Sequence, residues 1–122
     1  MSVRVLLVED TDTAGRSVAS GLSEPFHVAS VPLGRKVPDT IRDFDPDVLI
    51  LDVSLPYMNG ITVAALLRED WPDLPIILAT REFEVNQSAL PPRTHFLPKP
   101  FAVDTLKEML EAINHRSSSS DL

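Results

Sequence analysis

The chain predicts an α/β fold, an open parallel sheet of five strands with helices on both sides, and three observations predict it. Short apolar runs alternate with segments of helical period along the whole sequence. Runs such as VLLV and VLILD are apolar without alternation, as strands covered on both faces are. With five strands and crossovers too short for a barrel, a β-α repeat of this kind closes into an open sheet.

Taken in order, strands are expected at about 3–8 (VRVLLV), 26–31 (FHVASV), 47–52 (DVLILD), 75–80 (PIILAT) and 94–97 (THFL). Helices are expected between and after them, at about 12–22, 36–44, 60–70 and 103–115. Pro38 argues for a late start to the second of these, since proline is tolerated only in a first turn. The last helix has the clearest pattern: Val103, Leu106, Met109, Leu110 and Ile113 form one stripe, while Asp104, Lys107, Glu108 and Glu111 face away. Residues 1–116 then make one domain, and the serine-rich end, 117–122, reads as a disordered tail or linker stub.

Composition narrows the function. Eighteen acidic residues against eleven basic ones leave a formal net charge of −7 across 122 residues, with the cations scattered. A nucleic-acid backbone needs a basic face, so direct binding to it is not expected. The absence of cysteine excludes disulfides and thiolate metal sites, and His27, His95 and His115 have no metal-ligand spacing. The first apolar run is too short for a signal peptide or a membrane span, so a cytoplasmic protein without membrane contact is expected.

In open α/β sheets, ligands bind outside the carboxyl ends of the strands. Reading off those ends gives Glu9 and Asp10 after the first strand, Asp52 at the end of the third, Thr80 at the end of the fourth and Lys99 just beyond the fifth. Each has an ordinary explanation alone: Asp10 as a helix cap, Thr80 as a β-branched strand residue, Lys99 as a solvated cation, Asp52 as a turn opener. Together, three acids, a hydroxyl and an ammonium should converge on one crevice. Two carboxylates about 4 Å apart repel by roughly 4 kcal/mol at an effective dielectric near 20, so three need a cation. Mg²⁺, a hard ion that takes one or two carboxylates, waters and phosphate oxygens, is the natural complement. The chemistry that follows is phosphoryl transfer to a carboxylate.

The segments VLLVED, LILDVSLPYMNG, PIILAT and LPKPF resemble, in order and spacing, the signature segments of bacterial response-regulator receiver domains. The resemblance covers essentially the whole chain. It implies the flavodoxin-like strand order 2-1-3-4-5, Asp52 as the phosphoacceptor, and Mg²⁺ held by Glu9, Asp10, Asp52 and the backbone carbonyl of Ser54. It further implies that Thr80 and Lys99 bind the incoming phosphoryl group, that the Lys99–Pro100 bond is cis, and that Phe96 is the aromatic side chain whose position reports activation. The partners implied are a sensor histidine kinase or histidine phosphotransfer protein, which donates the phosphoryl group, and a downstream protein. The second would dock on segment 81–94, the fifth strand and the last helix.

Two features depart from the family pattern. Arg81 stands where receivers usually have a small residue after the switch threonine, which makes it a gate candidate over the phosphoryl group. Pro91 and Pro92 fall where the fourth helix normally runs, so that helix is expected to be short or absent, with segment 81–94 mobile until phosphorylated. The pattern is similar to an alphaproteobacterial subgroup whose fourth strand ends Phe-Ala-Thr-Gly, although Leu78 and Arg81 replace the Phe and the Gly. Two other function classes are weighed. One is a receiver-like interaction module that is never phosphorylated because Arg81 fills the site. The other is a Mg²⁺-dependent phosphohydrolase with an aspartyl nucleophile, which would want an Asp where Ser54 stands.

Overall fold

A computed structural model of the chain describes residues 3–9, 22, 25–32, 34–52, 60–80, 93–98 and 101–120. Five strands, β1 (Val3–Glu9), β2 (Phe26–Pro32), β3 (Val48–Asp52), β4 (Ile76–Thr80) and β5 (Thr94–Pro98), form one sheet in the order β2-β1-β3-β4-β5. Every neighbouring pair is parallel. Three helices lie among the described residues: α1 (Val37–Phe44), α2 (Gly60–Asp70) and α3 (Val103–Ser120). The helix expected at 12–22 lies outside them except for Leu22, which is buried, and so does the segment 81–92 with its expected short or absent helix.

The sheet is sandwiched because its strands are apolar on both faces. Val3, Val5 and Leu7 join Val48, Ile50, Ile77, Ala79 and Leu97 on one face, under Leu106, Leu110 and Ile113 of α3. On the other face, Leu6, Val8, Leu49, Leu51, Ile76 and Leu78 pack against Val37 and Ile41 of α1 and Val63, Ala64 and Leu67 of α2. Each fully buried aliphatic side chain contributes about 1.5–3 kcal/mol relative to exposure. An apolar run with no polar member is therefore the expected sequence of a strand with a helix on either side.

Helix ends follow from local chemistry. α1 takes Pro38 in its first turn, where a missing N–H costs nothing, and stops at Asp45, whose left-handed backbone (φ 52°) sends its N–H to the Ile41 carbonyl at 2.9 Å. The chain then enters β3 beside Arg4 of β1. Asp47 accepts the Arg4 backbone N–H at 2.8 Å and returns its own N–H to the Arg4 carbonyl at 2.7 Å. The Arg4 guanidinium donates to the Phe44 carbonyl at 2.7 Å and lies 4.4 Å from the centre of the Phe44 ring. These contacts join α1, β1 and β3 at the amino edge of the sheet.

One boundary differs from expectation. α3 runs to Ser120, five residues past the expected end at 115. Serine has only modest helix propensity, but extending a formed helix adds one hydrogen bond per residue fixed, and no proline or glycine intervenes to stop it.

Candidate functional site

The carboxyl edge of the sheet is built by strand register. Glu9 pairs with Asp52, Asp52 pairs with Ala79, and Thr80 pairs with Pro98. β3 lies between β1 and β4, so Asp52 is the last residue of an inner strand, flanked by the last residue of β1 and the last two of β4. Neighbouring strands lie about 4.8 Å apart and rise about 3.3 Å per residue. The Glu9 backbone is thus one strand spacing from Asp52, and Thr80 is one strand spacing away and one residue higher.

Glu9 is the last residue of β1, where the sequence put it just after the strand, and it is only 5% exposed. Among the described residues it is the one charged side chain in the core. Burying a carboxylate is costly unless it is compensated, and a second carboxylate on the adjoining strand end raises the cost. A buried glutamate beside an aspartate at a strand terminus is an oxygen-donor arrangement suited to a hard divalent cation such as Mg²⁺. No group of three metal-ligating side chains occurs among the described residues; Asp10, the third carboxylate of the expected set, lies outside them, as does Ser54.

Of the other expected site residues, Phe96 is half-buried on β5 and pairs with Leu78. Lys99, the Lys99–Pro100 bond and Arg81 lie outside the described residues; Lys99 follows directly on Pro98, the register partner of Thr80. The described structure therefore brings Glu9, Asp52 and Thr80 to one edge and leads β5 to the same edge.

Sequence reasoning passed over Arg68. Its Nη1 donates to the carbonyls of Trp71 and Leu74 at 2.7 and 2.6 Å, and its Nη2 to the Arg93 carbonyl at 3.2 Å. The available signal was an arginine in a last helical turn, a position from which a cation reaches terminal carbonyls.

Comparison with known proteins agrees with this architecture. The family profile described as response regulator receiver domain matches residues 5–111. Response regulator MprA of Mycolicibacterium vanbaalenii is 34% identical over 127 aligned residues, which cover 99% of this chain and 54% of that protein. The chain thus spans about half the length of the curated relatives it matches. A signal receiver domain from Vibrio parahaemolyticus superposes with a TM-score of 0.82 at 28% identity, covering 99% of this chain and 96% of that one. The chemotaxis response regulator CheY4 of Vibrio cholerae gives 0.75 at 25% identity, covering 93% and 99%.

Proposed function

The chain belongs to the response regulator receiver family of two-component signalling, and from that premise we propose that Asp52 is its phosphoacceptor. The observation that carries the reading is the register that sets Asp52 between Glu9 on β1 and the Ala79–Thr80 end of β4. The donor is a phosphohistidine of a sensor kinase or a histidine phosphotransfer protein. An ionised Asp52 oxygen attacks phosphorus, an O–P bond forms as the N–P bond breaks, and the departing imidazole takes up a proton from solvent.

In this reading Glu9, Asp10, Asp52 and the Ser54 carbonyl hold Mg²⁺, which when bound offsets the charge of the phosphoryl oxygens. Thr80 donates its hydroxyl to a phosphoryl oxygen, and Lys99 pairs with another. Burial of Glu9 at a strand end, next in register to Asp52, fits such an oxygen-donor set. Phosphorylation and slow self-dephosphorylation are then the only chemistry assigned to the chain.

The output face in this reading comprises β5 and α3, whose exposed Asp104, Thr105, Glu108 and Glu111 offer an acidic surface to a protein partner. No helix among the described residues is long and apolar enough to cross a membrane, and we assign the chain to the cytoplasm, where a kinase presents its phosphohistidine.

Mass spectrometry after incubation with Mg²⁺ and acetyl phosphate tests the assignment. Wild type should gain one phosphoryl group, mapped to the peptide containing Asp52, and Asp52→Asn should gain none. Equal labelling of both proteins, or no labelling of wild type, would refute it.

A further inference from the structure

At the edge of the sheet opposite Asp52, one guanidinium gathers three carbonyls, two from the connection between α2 and β4 and one from just before β5. Arg68 ties the end of α2 to Trp71, to Leu74 just before β4, and to Arg93 just before β5. Arg93 has a left-handed backbone, φ 56°, which a residue with a Cβ adopts only under restraint. Its carbonyl also accepts the Ile76 N–H at 2.9 Å, a rung joining the starts of β4 and β5, and its own Nη1 reaches the Asp73 carbonyl at 3.3 Å. β5 is an edge strand paired with β4 alone, and Thr94, His95 and Phe96 are only half-buried. Burial therefore contributes little at the start of this strand, and the polar clamp adds its restraint to the ladder with β4.

The geometry points to Arg68 as a positioning residue for the switch: by holding Arg93 in its left-handed turn it anchors the start of β5, so that a displacement driven from phosphorylated Asp52 is confined to the far half of that strand. The inference rests on the phosphoacceptor reading above. A strand fixed at its start bends toward the site at its end, at Phe96 to Pro98; a strand fixed at neither end slides and spreads the displacement along its length. The planar fork of arginine can meet carbonyls from several directions at once, which a lysine ammonium on a flexible stem does less well. Burial and the neighbouring Arg93 push the Arg68 pKa down, and Asp73 opposes them, yet a guanidinium keeps its proton under physiological conditions.

The test follows backbone amides of the chain by NMR as beryllofluoride and Mg²⁺ are added to wild type, Arg68→Lys, Arg68→Met and Arg68→Met/Arg93→Gly. In wild type the Phe96 and Leu97 amides should shift while Ile76 and Thr94 stay in place. In Arg68→Met, Ile76 exchange should accelerate about tenfold, the effect of losing roughly one hydrogen bond, and the shifts should spread to Ile76 and Thr94. Arg68→Lys should fall between, which keeps the test alive if the methionine variant folds poorly. Glycine holds the left-handed turn without a clamp, so adding Arg93→Gly should restore much of the wild-type pattern. A role in stability alone would change the midpoint of unfolding and leave the pattern untouched. A wild-type pattern in Arg68→Met, or movement of Ile76 and Thr94 in wild type, overturns the inference. If wild type shows no response at Glu9 and Asp52, matching Asp52→Asn, the phosphoacceptor reading fails by itself. The anchor then stands or falls on whether Ile76 exchange accelerates in free Arg68→Met.

Discussion

Glu9 and Asp52 are register partners at the ends of two adjacent parallel strands, and Glu9 is almost entirely buried there. Acidic residues brought to the ends of adjacent strands carry an electrostatic cost wherever both are ionised. The positions proposed to carry chemistry lie beyond those that carry folding energy: residues 5–8 of β1 and 48–51 of β3 are apolar and buried, and an acid follows each run.

The first prediction follows from that cost. Two carboxylates about 5 Å apart repel by about 3 kcal/mol at an effective dielectric near 20, and solvent at the sheet edge reduces this. Asp52→Asn should therefore raise stability by roughly 1–2 kcal/mol without divalent cation, read as a higher urea midpoint at unchanged slope. Added Mg²⁺ should stabilise wild type and affect the variant less. A variant less stable than wild type in the absence of Mg²⁺ would show that the two charges do not oppose one another.

A second prediction concerns Thr80, the last residue of β4. A charge-assisted hydrogen bond contributes roughly 1.5–3 kcal/mol, whereas moving an equilibrium from 1:99 to 99:1 takes about 5.5 kcal/mol. One anchor cannot drive the switch alone. Thr80→Ala should accept phosphate on Asp52 and shift only partly toward the activated state, seen as reduced amide shifts at Phe96 with beryllofluoride. Full shifts in that variant would remove Thr80 from the mechanism.

A third prediction tests the layer that supports the site. Leu110 of α3 has no solvent exposure and packs in the same cluster as Ile50, Ile77 and Leu97. Leu110→Ala should cost about 2–5 kcal/mol, the range for a buried leucine replaced without collapse of the cavity. Chemical denaturation measures it, and a loss below about 1 kcal/mol would mean that α3 packs loosely on the sheet.

Much of this was legible in the sequence, for identifiable reasons. Strands covered on both faces leave uninterrupted apolar runs, so VLLV, VLIL and IILA marked β1, β3 and β4 to within a residue, and the Val103–Ile113 stripe marked α3. The shared edge was legible because parallel strands deliver their last residues to it, which sets Glu9 beside Asp52 and Asp52 beside the Ala79–Thr80 end of β4 once the strand order is known. The helix end at Ser120 was not, since serine neither stops a helix nor drives one. The full role of Arg68 was not either: the Trp71 and Leu74 carbonyls are local to it, but Arg93 reaches it only because the β4–β5 ladder returns that residue to the end of α2, a tertiary fact that periodicity does not encode.

The last prediction sets the two ends of β3 against each other. At its start, Asp47 accepts the Arg4 backbone N–H and donates its own to the Arg4 carbonyl, 2.8 and 2.7 Å, a reciprocal pair that fixes β3 against β1. A hydrogen bond to a charged group contributes about 1.5–3 kcal/mol when formed, and the site is exposed, so water recovers part of the loss. Asp47→Ala should destabilise by about 1 kcal/mol and leave the rate of phosphorylation by acetyl phosphate unchanged. Asp52→Asn, at the far end of the strand that Asp47 precedes, should do the reverse, abolishing phosphorylation while gaining stability. Asp47→Asn provides an internal control, because its amide oxygen still accepts the Arg4 N–H and should restore part of the loss. If Asp47→Ala instead slowed phosphorylation at unchanged stability, the amino edge of the sheet would be coupled to the site, and the separation of folding and chemistry along β3 would have to be abandoned.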